Sequence, residues 1–185
     1  MFIALQVRGP NGVNSLQQKI LDPFVAETLE SLTTLAKLSA TAGAAFEDNL
    51  SSFRFKGYAV ATEVSGAVPG TVLLHLYPET VTDVGRRVFE RLTGDTTSVI
   101  SDDDLHAALT EWANVLIGKA TRALEVAELG VRFTSPVFVH DTNEMGALLK
   151  DVVEIVSVPI QTEDAGRFYF NYLLHAKTAE DSCSN

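Results

Sequence analysis

The stretch SDDDLHAALTEWANVLIGKATRALEVAELG, residues 101–130, is periodic enough to predict one long amphipathic helix. Ser101 and Asp104 have the spacing of a capping box, and the neighbouring acidic residues suit the positive end of a helix dipole. Gly130 is placed to end the helix. At about 100° per residue one side is predicted to face the core. Its members are Leu105, Leu109, Trp112, Ala113, Leu116, Ala120, Ala123, Leu124 and Ala127, with Ile117 at the edge.

The opposite side of this helix is unusual for a solvated surface. Glu111, Asn114 and Gly118 fall within about 60° of one another, with Ala107 above them and Thr121 below. Glycine weakens a helix interior by about 1 kcal/mol relative to alanine, and asparagine is also a mediocre helix former. Small residues let another backbone approach closely, so this face is predicted to meet a partner. Two alternatives stay open: the Glu–Asn pair could arise by chance, and Gly118 could mark a kink or a contact inside the fold.

Composition limits the class of protein. The chain has 185 residues, 46% of them hydrophobic, which is enough for one domain with a sizeable core. A formal net charge of −10 argues against nucleic acid and against an anionic membrane surface as partners. The N-terminal apolar run is too short for a signal peptide or a membrane span. Because the only cysteine is Cys183, no intrachain disulfide can form, and a cytoplasmic location is expected.

The remaining segments alternate helices with pairs of strands. Asp22 as N-cap and Pro23 at the first helical position predict the start of the first helix, to which QQKI before it could add a short turn. A second helix is predicted over 78–92, and 141–151 reads as a loop that could hold one helical turn. The predicted strands are 1–9, 53–64, 70–77, 131–140 with a break at Pro136, 152–161 and 167–176.

These elements predict an α+β fold. Two similar helix-plus-strands halves are expected to form a largely antiparallel sheet with helices packed on it. Residues 1–175 form the predicted single domain, with an internal pseudo-duplication, and 176–185 a disordered polar tail. The role of the N-terminal strand, within residues 1–13, does not follow from the sequence.

The long helix resembles the signature helix of the CheC/CheX group of chemotaxis phosphatases. That signature has the form E-x-A-N-x-x-x-G-x-A, and Glu111, Asn114 and Gly118 match its most distinctive positions. LDPFVAETLESL resembles the family's opening helix, VATEVSGAVPGTVLLHLYPET its first hairpin, and VPIQTEDAGRFYFNYLL its closing hairpin, so that residues from about 22 to 175 are covered. The residue after Gly118 is often asparagine in the family and is Lys119 here, which bears on substrate preference more than on chemistry.

The resemblance is closest to CheX, because the opening helix offers only Glu30 and Thr33 where CheC-type members usually carry a second signature. It implies a CheC-like fold and hydrolysis of the aspartyl phosphate on a CheY-like response regulator. Asn114 would orient the attacking water and Glu111 would pair with a lysine of the regulator. Ala107, Gly118 and Thr121 would contact that partner.

The resemblance also implies that the protein has no cofactor of its own, since the Mg²⁺ would belong to the response regulator. A homodimer that pairs through sheet edges is expected, because the strands of the last hairpin would otherwise leave exposed edges.

Two other functions and one other site remain open. The chain could be a non-catalytic module of CheC-like fold that binds a response regulator or a flagellar switch component. It could also be a structural homodimeric domain that carries the signature by chance. His140, Asp141 and Glu144 could make a weak cation site, although plain loop polarity is the simpler interpretation.

Overall fold

The computed structural model describes residues 15–51, 53–96, 99–126, 129–139 and 141–176. The predicted N-terminal strand and nearly all of the predicted polar tail lie outside these ranges. The helices are α1 (Ser15–Ser31), which continues as a π-helical segment (Leu32–Ala36), α2 (Pro78–Thr93), α3 (Asp102–Val126) and α4 (Thr142–Leu149). The strands are β1 (Ala40–Ala42), β2 (Phe46–Asp48), β3 (Tyr58–Gly66), β4 (Gly70–Leu76), β5 (Val131–Phe133), β6 (Val137–Val139), β7 (Val152–Thr162) and β8 (Arg167–His175).

The strands form one antiparallel sheet in the order β1-β7-β8-β4-β3-β5, with β2 also paired to β7 and β6 also paired to β3. The two predicted hairpins β3–β4 and β7–β8 form, but β3 begins at Tyr58, whereas its strand was predicted from residue 53. They meet at the centre of the sheet, where β4 pairs with β8 and Leu73 faces Asn171. The predicted α+β fold with a largely antiparallel sheet is therefore confirmed.

The two halves of the chain exchange their edge strands. Each half consists of a long helix, a strand interrupted in the middle, and a hairpin. The interrupted strand β1/β2 of the first half pairs with β7 of the second, and β5/β6 of the second half pairs with β3 of the first. Each half therefore supplies the edge strand that covers the hairpin of the other half.

The strand order shows that the last hairpin does not form an edge of the sheet, so the reason given above for a homodimer through sheet edges is wrong. The strands of the last hairpin are interior strands, since β8 lies between β7 and β4, and β7 is covered by β1 and β2. The edges are formed by the interrupted strands instead. These short segments pair nowhere else among the described residues, and interruption is one way in which proteins protect an edge from unwanted pairing.

The sheet buries apolar side chains on both faces. The larger cluster lies between one face and the helices α1, α2 and α3, and includes Trp112, Phe24, Phe170 and Tyr172. The smaller cluster lies on the other face, where Met145 of α4 packs with residues such as Leu73 and Ile155. Alternation along each strand explains this division, because successive side chains point to opposite faces.

The first helix begins earlier than predicted. Asp22 is not its N-cap, because α1 already includes Ser15 and holds Pro23 in its interior. Buried residues at helical spacing extend the helix backwards: Gln17, Ile20, Leu21 and Phe24. Packing of this face outweighs the backbone hydrogen bond that proline cannot donate.

Two further segments differ from the prediction. Residues 41–48 had no predicted structure, yet they form most of the edge strands β1 and β2. The segment 141–151 holds the eight-residue helix α4, because the Asp141 carboxylate accepts hydrogen bonds from the backbone N–H groups of Asn143 and Glu144 and so caps it. The predicted break at Pro136 is confirmed, since it falls between β5 and β6.

Candidate functional site

The helix α3 starts with the predicted capping box. The Asp104 carboxylate accepts hydrogen bonds from the Ser101 backbone N–H at 3.1 Å and from its hydroxyl at 2.6 Å, while the Asp104 N–H donates to Ser101 Oγ at 3.2 Å. The hydrogen bonds from Ser101 hold the pKa of Asp104 below its usual range. These reciprocal hydrogen bonds fix the start of α3.

The buried side of α3 is anchored to α1 by its tryptophan. Trp112 is 1% exposed, and its indole Nε1–H donates a hydrogen bond of 2.8 Å to Ser31 Oγ at the end of α1. Ser31 Oγ in turn donates to the carbonyl of Thr28. This chain of hydrogen bonds fixes the position of the middle of α3 against a neighbouring helix, which places the opposite side of the same turn firmly at the surface.

The predicted core stripe of α3 is largely confirmed. Its buried members are Leu105, Leu109, Trp112, Ala113, Leu116, Ala120 and Leu124, and Ile117 at the edge is also buried. The assignment of Ala123 to the core is wrong, because this residue is exposed. Ala127 lies outside the described side chains. Ala108 is buried although the stripe omitted it, because α2 packs closely on this side of α3.

The opposite side of α3 presents the residues that carry the sequence signature. Glu111, Asn114 and Gly118 are all exposed, and the i, i+3 spacing puts the carboxylate and the amide side by side. Within the part of the chain that the structure describes, neither side chain has a hydrogen bond or an ion pair. Apart from the neighbouring backbone of α3 itself, a Cβ atom placed on Gly118 would meet no heavy atom of the described residues within 4 Å. Gly118 therefore does not serve packing inside this fold.

The surface around the pair carries small side chains. Ala107 is exposed one turn before Glu111, and Thr121 is half-buried with its hydroxyl donating to the Gly118 carbonyl at 3.2 Å. Val115 is 40% exposed and was not among the predicted contact residues. Its position next to Asn114 on the same face could have identified it.

A shallow apolar groove lies beside this surface, between α2 and α3. It has a volume of about 190 Å³, and Phe89, Leu92 and Ala107 are among the residues that line it. Leu92 is 51% exposed at the end of α2. No pattern along the chain predicts this groove, because it depends on how two helices pack. An exposed leucine next to a shallow groove can bury apolar surface when a partner docks.

The departure at Lys119 has a structural account. Lys119 Nζ lies 3.5 Å from Glu27 Oε2 on α1, an ion-pair distance without hydrogen-bond geometry. Because the lysine side chain is 53% exposed, this pair adds no more than about 1 kcal/mol to stability. Lys119 is therefore directed towards α1 and away from the Glu111–Asn114 surface.

The equivalent position on α1 lacks the amide. Glu30 and Thr33 are exposed, and they relate to Ser31 as Glu111 and Asn114 relate to Trp112, to which Ser31 is hydrogen-bonded. Thr33 Oγ1 donates to the carbonyl of Leu29 at 2.9 Å, in the segment where the helix becomes π-helical. This second surface therefore offers a carboxylate without a neighbouring side-chain amide.

Other kinds of site have little support among the described residues. They include no group of three or more His, Cys, Asp and Glu residues that could hold a metal ion. Of the suggested cation site, Asp141 caps α4, and His140 lies outside the described ranges, as does Cys183. No helix in the described part of the chain has the length and apolar character needed to cross a membrane.

Comparison with solved structures shows a shared fold. The chemotaxis protein CheX from Desulfovibrio desulfuricans superposes with a TM-score of 0.62 at 18% identity, over 85% of this chain and 99% of that chain. The CheX–CheY–BeF₃–Mg²⁺ complex from Borrelia burgdorferi gives 0.60 at 20% identity, over 85% and 98%. FliY from Thermotoga maritima gives 0.59 at 16% identity, over 85% and 87%.

Comparison by sequence identifies a family. A search of the curated proteins gives no match. The family model described as "Chemotaxis phosphatase CheX" matches residues 58–160, which include β3, β4, α2, the whole of α3 and most of β7. The match spans more than half of the 185 residues and contains both Glu111 and Asn114. This chain belongs to the CheX family of chemotaxis phosphatases.

Proposed function

We propose that this protein hydrolyses the aspartyl phosphate of a CheY-like response regulator, with α3 lying across the regulator's phosphorylation site. Asn114 orients the attacking water, and Glu111 pairs with a lysine of the regulator. Ala107, Gly118 and Thr121 contact the regulator around this pair. Family membership supports the reaction class, and the complex of a CheX with CheY from Borrelia burgdorferi supports the class of partner.

The observation that carries the proposal is the exposure of Glu111 and Asn114 and their unused capacity for hydrogen bonds. Both are exposed and without a hydrogen-bond or ion-pair partner among the described residues, on a helix whose other side is held by Trp112. A rigid helix with two free polar side chains and small neighbours is suited to enter a cleft. The open space at Gly118 lets the partner's backbone come close to the helix.

The chemistry asks little more of this chain than positioning. Phosphoryl transfer needs an in-line nucleophile and neutralised equatorial oxygens, so that placing one water can supply much of the rate enhancement. A side-chain amide can hold that water through its carbonyl oxygen or its N–H groups and adds no negative charge near the phosphate. The water oxygen attacks phosphorus, the bond to the regulator's aspartate breaks, and inorganic phosphate leaves.

Charge on the regulator side completes the site. The Mg²⁺ is proposed to belong to the regulator, and no step here depends on a metal held by this chain. Glu111 supplies one negative charge to a lysine in a cleft that the docked helix partly shields from water. Such a pair adds to specificity and to the association rate more than to the chemical step.

We expect one catalytic surface per chain. The counterpart on α1 has Thr33 in place of asparagine, and its hydroxyl already donates to the Leu29 carbonyl. It therefore lacks the amide that the proposed reaction requires.

The test is phosphate release from a panel of phosphorylated CheY-like regulators, with the Asn114→Ala variant compared with the wild type. We expect Asn114→Ala to leave docking nearly intact and to lower kcat about a hundredfold, equivalent to about 2.7 kcal/mol of barrier. Asn143→Ala is the matched control, because Asn143 is an exposed asparagine on α4. Equal losses in binding and hydrolysis would make Asn114 a docking residue.

Glu111→Gln separates recognition from chemistry. This change keeps the shape of the side chain but removes its charge, so that binding should weaken by about 1–3 kcal/mol and depend less on salt. Glu30→Gln, at the counterpart position on α1, makes the same change in charge and should have no effect. If Glu111→Gln and Asn114→Ala both leave hydrolysis unchanged, the active surface is elsewhere.

A second candidate is a binding module without catalysis. The similarity to FliY from Thermotoga maritima, at a TM-score of 0.59, favours it because the same fold occurs in that protein. It predicts stable docking to a regulator with no increase in phosphate release over the regulator alone. The presence of both Glu111 and Asn114 on the exposed face favours the enzyme.

A further inference from the structure

The sheet face opposite to the helices α1, α2 and α3 contains a cavity that the proposed phosphatase reaction does not use. Its volume is about 260 Å³. The side chains of His75 and Asn171 contribute to its floor, and both are about 2% exposed or less. Aromatic side chains line it as well, among them Phe46, Tyr77 and Tyr169. A cavity of this size can hold a small organic molecule.

A chain of hydrogen bonds runs across the floor of this cavity. Asn171 Nδ2 donates to Ser157 Oγ at 2.6 Å, and Ser157 Oγ donates to Asp48 Oδ2 at 3.0 Å. The direction of this chain is fixed by Asp48, because an ionised carboxylate can only accept. The Ser157 hydroxyl must therefore donate to Asp48 and accept from Asn171, so the amide of Asn171 presents its N–H group to serine and its oxygen elsewhere.

The oxygen of this amide is left without a partner. Asn171 Oδ1 is buried and receives no hydrogen bond from any residue that the structure describes. A buried carbonyl-type oxygen without a donor is unfavourable, because it has lost its hydrogen bond to water and gained none in the fold. The residue that faces Asn171 across the β4–β8 pairing is Leu73, so an apolar side chain is tolerated at the neighbouring place in the sheet. The asparagine is therefore costly to the fold unless something donates a hydrogen bond to it.

The other groups of the cavity also favour a donor that carries positive charge. Asp48 is an acceptor, and Phe46, Tyr77 and Tyr169 provide aromatic surface, which attracts cations. Burial raises the pKa of Tyr77, and its neighbours Tyr169 and Asp48 raise it further. Burial also lowers the pKa of His75, so this imidazole is neutral near pH 7 and does not repel a cation.

The single basic side chain among the lining residues is already engaged. Arg54 is exposed, and its Nη1 donates to the backbone carbonyls of Ser51 and Phe53 at 2.9 Å each. These bonds direct part of the guanidinium towards its own loop. The remaining polar groups, the buried Asn171 Oδ1 and the half-buried Asp48 carboxylate, are acceptors and favour a cationic ligand.

We propose that this cavity is a binding site for a small organic cation, an ammonium group whose N–H donors reach Asn171 Oδ1 and Asp48 and whose carbon skeleton rests on the aromatic side chains. The site lies on the sheet face away from α3, and it is independent of the proposed phosphatase reaction. Binding should therefore be measurable without any response regulator.

The first experiment needs only the wild-type chain and three probes of equal size and different charge. Benzylammonium, benzyl alcohol and benzoate are titrated into the ¹⁵N-labelled protein, and the side-chain amide signals of Asn171 are followed by NMR. We expect saturable millimolar binding of benzylammonium with shifts at Asn171, and at least about tenfold weaker binding of the other two probes. Binding of benzoate as tight as that of benzylammonium overturns the proposal, and so does the absence of saturation by the ammonium probe.

A variant then tests the contribution of the carboxylate. Asp48→Asn should weaken benzylammonium binding by about tenfold or more, because the charge is lost while the size is kept. Glu47→Gln is the matched control, since Glu47 is adjacent on β2 but does not line the cavity. Equal affinity in Asp48→Asn and the wild type refutes the site. If Asp48→Asn fails to fold, the comparison of the three probes on the wild type still decides.

Discussion

Open space beside Gly118 leads to a prediction in two parts: replacing this glycine should raise the stability of the isolated protein and lower its activity on a regulator. Beyond the neighbouring backbone of α3, no heavy atom of the described part of the chain lies within 4 Å of a Cβ atom at Gly118, so alanine adds no clash and removes only the conformational freedom of glycine. The helix-propensity difference is about 1 kcal/mol in favour of alanine. For a chain of this size that corresponds to an increase in Tm of about 2–4 °C. Gly118→Ala should therefore make the isolated protein more stable.

The same change should impair the reaction with a phosphorylated regulator. If α3 lies against the partner's backbone, a methyl group moves the helix outward, and Gly118→Leu moves it further. A displacement of about 1 Å can cost about a hundredfold in rate when a reaction depends on positioning. We expect Gly118→Ala to lower kcat/KM for phosphate release and Gly118→Leu to lower it by about a hundredfold, while both variants melt at or above the wild-type temperature.

Gly146 provides the matched control for this pair of measurements. It is an exposed glycine inside α4, and a Cβ atom there also meets nothing within 4 Å. Gly146→Ala should raise Tm by a similar amount and leave phosphate release unchanged. The reasoning is refuted if Gly118→Leu lowers Tm by several degrees, or if it is stable and hydrolyses the regulator's phosphate at the wild-type rate.

Three further predictions concern stability and assembly. Trp112→Phe should lower the free energy of unfolding by about 1–3 kcal/mol, measured in urea, because it removes the hydrogen bond to Ser31 and some packed volume; no loss would mean that this bond does not anchor α3. Burial holds the pKa of His75 below its usual 6.5, so that on acidification the unfolded chain takes up a proton at a higher pH than the folded chain does. The free energy of unfolding should therefore fall as the pH drops through 6.5, and His75→Gln should make it depend less on pH. A homodimer is still expected, although the structure does not identify the surface that would form it, and light scattering that shows only a 20.0 kDa species would exclude it.

Local patterns in the sequence were sufficient for the proposed catalytic surface. The capping box fixes where α3 begins, and a period of 3.6 residues then decides which side chains share a face. Exposure of Glu111, Asn114 and Gly118, and burial of Trp112 and Leu116, follow from those two facts and are found in the structure. The roles of Glu111 and Asn114 remain a proposal, because they concern a partner.

Weak local signals account for the errors. Ala123 was assigned to the core because alanine is apolar, but a small side chain at the border of a stripe contributes little burial, and the packing of neighbouring elements decides its exposure. Pro23 suggested a helix start because that is its commonest helical position, whereas the buried residues before it, such as Ile20, extend α1 through the proline.

The sequence by itself determined the existence of α1, α2 and α3, the two hairpins and the side of α3 that meets solvent, since these depend on residues close together in the chain. Only the tertiary structure decided which half supplies each edge strand, because pairing between β2 and β7 joins segments more than a hundred residues apart. The same holds for the cavity. Asp48, Ser157 and Asn171 come from three strands, and no pattern along the chain shows that one hydrogen-bond chain links them or that it leaves an amide oxygen unpaired.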